Sequence, residues 1–442
     1  MWINEQQPLP GLYQGAPTVP DRSKFTVVSL FTGAGGLDLG FSSTENFRHL
    51  AAVELDSAFC RTLELNRDLG QFGDSSTKIV QADLSELSPT ELMRSLGIDP
   101  GEVDVLIGGP PCQSWSTAGR RATVQDPRGM LLWTFAQYVS ELRPKIFVME
   151  NVRGLLSGAL RHRKIADRPE HGGPPLQADE ERGSAIRAWV RDLRRATDDE
   201  YRVSSFEVNA VNYGAPQLRE RVLFFGNRLN LDMRFPEPSH GPNSKNEESY
   251  RTLADALGGL DEEAPVIVDF SPRKKYYLSM VPEGANWRAL PDSVARESMG
   301  RAYHAKGGRS GWWRRLSWDL PCPTITTLPS HASTSLCHPS ETRALSVREC
   351  ARIQGFPDDW QFCGTPQEQM RQVGNAVPVR LGEVASTVVL EALQKGMQER
   401  PATESPYENY YIYSHVRTRV WWKDGEARIR GSKAEVPIKT IA

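Results

Sequence analysis

Apolar positions gather into short unbroken runs in the first half of the chain. They are 25–31 (FTVVSLF), 50–55 (LAAVEL), 78–81 (KIVQ), 103–107 (VDVLI) and 145–149 (KIFVM). Each is bounded by Gly, Asp, Pro or Asn and is too short for a helix. Runs of this kind describe strands buried on both faces, as in a parallel sheet. Between them the period lengthens. Asp126-Pro127 reads as a helix start, an N-cap followed by proline in the first turn. Leu131, Phe135, Tyr138 and Leu142 then share one face. Strands alternating with helices predict a doubly wound α/β fold. Two later runs, 202–208 and 221–225, read as an antiparallel pair at its edge.

The alternation stops after 235. From there to about 345 the chain holds Trp287, Trp312, Trp313 and Trp318 among many prolines and arginines. This stretch reads as a separate, smaller domain, irregular or β-rich. Ser346 and Glu349 form a capping-box pattern ahead of a helix, and another helix starts near Pro378 with Leu381, Val384, Val388 and Leu393 on one face. The chain therefore leaves its first domain and returns to it: 24–235 with 345–397, and 236–344 between. Residues 157–185 are charged and rich in Gly and Pro, the composition of a long surface loop. In the tail, 398–442, two β-like stretches flank Lys423-Asp424-Gly425, a plausible hairpin turn. Arginines interleave there with Trp421 and Trp422. An accessory hairpin or loose end is the plainer reading, an extra nucleic-acid contact the sharper one.

Composition narrows the class. The 442 residues carry a formal net charge of -2, so whole-chain charge does not announce a polyanion binder. Locally it differs: residues 271–320 hold ten Lys or Arg against four Asp or Glu. That window is a basic patch for phosphates or a solvated basic surface. Cysteines at 60, 112, 322, 337, 350 and 363 form no C-x-x-C pair. A disulfide framework or zinc site is not expected, and a reducing cytosol fits. Neither a signal peptide nor a membrane span is visible.

The candidate chemistry lies where the strands end. After the first comes Phe31-Thr32-Gly33-Ala34-Gly35-Gly36-Leu37-Asp38, a glycine-rich turn of the kind that holds a nucleotide-like ligand. Glu54, ending the second strand, can accept from both ribose hydroxyls; otherwise it is a surface acid beside a tight turn. Asp38 replaces the third glycine of the dinucleotide pattern, which weakens a pyrophosphate cradle and suits S-adenosylmethionine. Asp83, after the third strand, can meet an adenine amino group. The fourth strand leads into Gly108–Ser116, G-G-P-P-C-Q-S-W-S. Two prolines stiffen this loop and hold Cys112 in place. A thiol there is a nucleophile or a small buried hydrophobe. Glu150, at the end of the fifth strand, falls beside it and can act as an acid or merely cap a helix. Gln217, Arg219 and Arg221 share one face of an extended segment, a hydrogen-bonding surface or a solvated edge.

Together FTGAGGLDLGF, GGPPCQSWS, VMENVRGLL, the Q-x-R-x-R run and the V-G-N-A-V-P segment at 373–378 resemble the ordered motifs of DNA (cytosine-5)-methyltransferases. The match covers about 25–235 and 345–395. The resemblance implies a mostly parallel seven-stranded sheet, S-adenosylmethionine as methyl donor, and double-stranded DNA as substrate. It implies that Cys112 attacks carbon 6 of a flipped-out cytosine and that Glu150 holds or protonates ring nitrogen 3. Arg221 contacts the base carbonyl and Arg219 supports the active-site loop. Phe31, Gly33, Ala34, Gly35, Gly36, Glu54, Leu55, Asp83, Leu84, Pro111, Asn375 and Val377 match cofactor positions. Residues 236–344 correspond to the target-recognition region, and Ser114–Arg121 to a loop that closes over DNA. A bacterial cytoplasm, a monomer on DNA and a cognate restriction endonuclease are further expectations. The rival readings are an RNA methyltransferase on the same scaffold, a nicotinamide-dependent oxidoreductase, and an inactive DNA-binding relative.

Overall fold

The structure is a computed structural model describing residues 24–111, 127–241, 244, 248–305, 309–396, 412–414, 417–423 and 426–432; for 127–130 and the C-terminal strands only the backbone is described. Cys112, the 114–121 segment, Asp126, Lys306 and the Asp424-Gly425 turn lie outside these residues. The strands are β1 (Phe25–Leu30), β2 (Phe47–Glu54), β3 (Lys78–Gln81), β4 (Val105–Gly108), β5 (Ile146–Val152), β6 (Arg202–Asn209), β7 (Gln217–Leu218), β8 (Glu220–Asn227), β9 (Cys322–Pro323), β10 (Ile412–Ser414), β11 (Arg417–Lys423) and β12 (Glu426–Ser432). The main sheet runs in the order β10-β6-β8-β5-β4-β1-β2-β3. Seven strands come from the first part of the chain, and the short β10 adds an eighth at the edge. Only β8 runs against its neighbours. It is interior, between β5 and β6, so the expected antiparallel pairing forms but the pair is not itself the edge.

Each central strand feeds two cores, which is why its sequence is continuously apolar. Val28 and Leu30 of β1, Leu106 of β4, and Phe147 and Met149 of β5 face one cluster. There they meet Phe135, Tyr138 and Leu142 of helix Pro127–Leu142 and Trp189 of helix Ser184–Ala196. Val27, Val105, Ile107, Ile146 and Val148 face the other, with Leu381, Val388 and Leu393 of helix Val379–Lys395. Helix Val379–Lys395 thus packs back against the sheet built by the first part of the chain. Ser346 caps helix Val347–Gln354 in a full capping box with Glu349. A third cluster joins Phe59 and Leu63 to Trp360, Met370 and Val373. The 157–185 loop is stapled, with Arg163 donating to Glu180 and Arg161 paired to Asp179.

Residues 236–344 are irregular, not β-rich. Among the described residues they contain one two-residue strand, short helices and single turns. Buried Arg315 does the work a sheet would do. It donates to the carbonyls of Leu278, Val281, His338 and Glu341 at 2.8–3.1 Å, and to the Thr342 hydroxyl at 2.9 Å. Backbone groups that a sheet would pair meet one guanidinium instead. The basic window is therefore partly internal: Arg315 is a post, Lys275 pairs with Asp269, and Arg296 with Asp292.

Helix Gly36–Ser42 crosses helix Val379–Lys395 at van der Waals distance, because Gly40 meets Gly382. A Cβ on Gly40 would lie 2.1 Å from the Gly382 carbonyl carbon. Gly40→Ala is expected to destabilise by about 1–3 kcal/mol through overpacking. Chemical denaturation checks this; a variant as stable as wild type would refute the close crossing.

Candidate active site

The first wall of the site is the turn after β1. Phe31, Gly33 and Gly35 have φ of 53°, 61° and 82°. Glycine takes such values freely, whereas Phe31 is strained by about 1–3 kcal/mol. Gly35 caps helix Gly36–Ser42, and its Cα side abuts Leu63 and Trp360. Glu54 knits the turn to β2: its carboxylate accepts from the backbone N–H of Gly33 at 2.8 Å, Leu55 at 2.9 Å and Asp56 at 3.0 Å. Burial pushes the Glu54 carboxyl up from its ordinary value, against the pull of those three donors. Asp83 accepts from the Ser85 hydroxyl and N–H at 2.6 and 2.8 Å. The Ser85 hydroxyl and N–H hold the Asp83 carboxyl below the usual range.

The second wall is built from β4, β5 and β8. Asn151 donates to the Pro110 carbonyl at 3.1 Å, tethering the Pro-Pro loop to β5. Glu150, in the same strand, is nearly buried. Its Oε1 lies 2.6 Å from Nε of Arg221 on β8. This acid–guanidinium pair faces the cavity from two adjacent strands, and Pro111 also lines it. Cys112 follows Pro111 in the chain and lies outside the described residues.

The third wall comes from the far end of the chain. Arg219 is buried and donates to the carbonyls of Ile325 at 2.8 Å and Gly374 at 2.9 Å. Gln217 donates to Gln354 and accepts from the Ile325 N–H. These bonds bring Thr324–Thr327 and Asn375–Val377 to the cavity. Arg371 pairs with Asp56 at 2.5 Å and lies over the Phe59 ring.

The result is one cavity of about 690 Å3 at the carboxyl ends of β1 and β4, where the strand order reverses. That volume suits a nucleotide-sized ligand, at the place where α/β sheets bind one. Phe31, Gly33, Gly36, Glu54, Leu55, Asp83 and Leu84 line it, as do Pro111, Asn375, Val377, Glu150, Arg219 and Arg221. Ala34 and Gly35 do not: Ala34 packs behind the turn in the third cluster. Arg219 and Arg221 also part company. Arg221 meets Glu150, while the Arg219 guanidinium is engaged by two carbonyls. Sequence reading missed Thr324–Thr327, Asp56, Phe59 and Arg371, which no spacing relates to the glycine turn. Asn151 was legible as the neighbour of Glu150, its tethering role was not. Burial pushes the thiols of Cys60 and Cys322 up to about 12, that of Cys337 up to about 11, and that of Cys350 up as well. These four are poor nucleophiles.

The sheet order, the glycine turn with its acid, and an acid–arginine pair across one cavity define an α/β methyltransferase. Residues 25–167 and 177–390 match the family model for C-5 cytosine-specific DNA methylases. The chain belongs to that family, and is a DNA cytosine-5 methyltransferase. It is 34% identical to the Type II methyltransferase M.Sau96I of Staphylococcus aureus, over 83% of this chain and 75% of that one. It is 36% identical to M.Eco47II of Escherichia coli, over 85% and 82%. A solved E. coli protein described as a prophage-encoded DNA modification methyltransferase shares the fold. Its TM-score is 0.56 at 24% identity, covering 84% of this chain and 100% of its own. Among the described residues no helix is long and apolar enough to cross a membrane.

Arg219→Ala would leave two buried carbonyls without charged donors. The expected loss is about 2–4 kcal/mol, with Arg219→Lys recovering only part, since one ammonium lacks the fork that spans both. Thermal melts of the two variants check this. Equal stability of all three proteins would remove Arg219 from its bridging place.

Proposed function

We propose that the chain methylates carbon 5 of a cytosine within a specific short sequence of double-stranded DNA, with S-adenosylmethionine as donor. The observation that carries this reading is the Glu150–Arg221 pair in the same cavity as Glu54 and Asp83. One end of the cavity suits an adenosyl group, with Glu54 toward the ribose hydroxyls and Asp83 toward the adenine amino group. Asn375 and Val377 close that end. S-adenosylmethionine, when bound, supplies an electrophilic methyl group. The other end suits a pyrimidine taken out of its helix. Glu150 holds or protonates ring nitrogen 3, and Arg221 contacts the base carbonyl while orienting Glu150.

Cys112 is the nucleophile. Its thiolate adds to carbon 6, and the ring electrons move to carbon 5, which becomes nucleophilic and takes the methyl group. A base removes the carbon-5 proton, and the thiolate leaves from carbon 6 as the ring double bond returns. The reading is supported by the tether from Asn151 to Pro110, which fixes the loop leading to Cys112, and by the burial of four of the other five thiols, Cys60, Cys322, Cys337 and Cys350.

Residues 236–344 read the flanking bases. Arg288 and Arg309 both stack on Trp287, at 4.7 and 5.0 Å from its ring centre. Among the described residues neither has a carboxylate partner; Arg309 also donates to the Tyr303 carbonyl, and the remaining N–H groups of both can meet guanine edges or phosphates. The catalytic body comprises 24–235 and 345–397. The enzyme acts as a monomer in a bacterial cytoplasm, at the nucleoid, and the Type II names of its relatives favour a cognate restriction endonuclease as companion.

Duplex DNA containing 5-fluorocytosine lacks the removable carbon-5 proton, so it should trap a covalent adduct in wild type and none in Cys112→Ala. The alanine variant should also lose methyl transfer. Denaturing gels and tritium-transfer assays read the two outcomes; full transfer by Cys112→Ala would overturn the mechanism. Cofactor binding should weaken as pH falls, because burial makes the Glu54 carboxyl protonate above the ordinary glutamate range and the neutral form accepts ribose hydroxyls less well. Calorimetric titration with S-adenosylhomocysteine checks this, and Glu54→Gln should flatten the dependence. An unaltered pH profile in that variant would remove Glu54 from the ribose site.

A further inference from the structure

The C-terminal hairpin lies beyond the family match, which ends at residue 390. β11 and β12 pair in strict antiparallel register, with Arg419 opposite Arg430, Val420 opposite Ile429, Trp421 opposite Arg428 and Trp422 opposite Ala427. Residues directly opposite share a face, and faces alternate along each strand. One face of the ribbon therefore carries Arg417, Arg419, Lys423, Arg428 and Arg430 with Trp421, against a single acid, Glu426. The other carries Val420, Trp422, Ala427 and Ile429. The ribbon is thus amphipathic, with one apolar face and one strongly basic face. Arg419 opposite Arg430 is a like-charge pair, mildly destabilising by itself and relieved where an anion bridges it.

The register also fixes where the hairpin begins. β10 runs parallel to β6, β6 antiparallel to β8, and β8 antiparallel to β5. β10 therefore runs in the sense of β5 and ends at the same edge of the sheet as Glu150. Ser414, Glu207, Val222 and Asn151 stand in one row across the four strands. Three strand spacings of about 4.8 Å put the end of β10 about 14 Å from the strand bearing the catalytic acid. Only two residues separate β10 from β11. A seven-residue ribbon about 24 Å long starts there, and a two-stranded ribbon fits the major groove or tracks a phosphate backbone.

We infer that the basic face of this hairpin is a second, sequence-independent contact to the phosphates of the duplex being methylated. The inference rests on DNA as substrate. Phosphate contacts position a protein on the duplex and make affinity salt-dependent.

The test uses full-length protein and a 30-base-pair duplex of random sequence, titrated over a range of sodium chloride. Arg419→Ala with Arg430→Ala should weaken binding several-fold. The slope of log K against log salt should fall by about 1–2, since each lost phosphate contact removes about 0.9. Glu426→Lys should tighten binding, which keeps the test decisive if the double variant folds poorly. Wild-type slopes and affinities in both variants would overturn the inference. So would unaltered DNA binding with a shift in oligomeric state on sedimentation, which would make the hairpin a contact between copies. Methylation of bulk genomic DNA by wild type is measured in parallel. Its absence would strike the functional reading, whereas normal methylation with unaltered slopes would strike only the hairpin.

Discussion

A single buried guanidinium holds three distant parts of this chain in one place. Arg219 sits between β7 and β8, and its two carbonyl partners belong to the irregular block and to the helix before Asn375. Burial lowers the pKa of Arg219 from its usual value, with Arg221 adding to the effect. The charge is tolerated because it meets fixed dipoles at hydrogen-bonding distance. The clasp works with the Gln217–Ile325 and Thr324–Leu218 bonds and with Gln354, which donates to the Ala376 carbonyl, to fix the segments at 324–327 and 375–377 as the third wall of the cavity.

The same economy governs the irregular block. Arg315 replaces a sheet by collecting carbonyls from several loops, and a small apolar cluster around Phe270, Tyr277 and Trp313 packs about it. A domain held this way places few demands on its surface sequence. Its exposed positions are then free to vary, while the cavity is built on the rigid sheet. The cations of the basic window accordingly divide. Some are internal or paired, whereas Arg288 and Arg309 lie over the Trp287 ring without a carboxylate partner among the described residues.

The acid–arginine pair in the cavity is ordered by strand register. Glu150 and Arg221 stand on adjacent antiparallel strands, close enough for a direct ion pair, and Asn151 in the next position ties down the Pro-Pro loop. The strand β5 runs on through Val152, so Glu150 belongs to a hydrogen-bonded ladder and not to a loose end. That rigidity keeps the pair's geometry fixed toward the cavity.

Much was legible in the sequence, for a physical reason. Strand and helix periods, caps, and the stiff glycine and proline turns are local, and the doubly wound sheet follows from their alternation. The chemistry-bearing groups at strand ends could be named because such a sheet gathers strand ends at one edge. Three things were decided only by tertiary structure. Arg219 and Arg221 look equivalent in an extended segment, yet burial sends one to carbonyls and leaves the other to Glu150. Ala34 and Gly35 lie within the glycine turn, yet the packing of Trp360 and Leu63 turns them away from the cavity. Thr324–Thr327 and Arg371 reach the site through contacts across more than a hundred residues of chain, and no local pattern records a partner that far away.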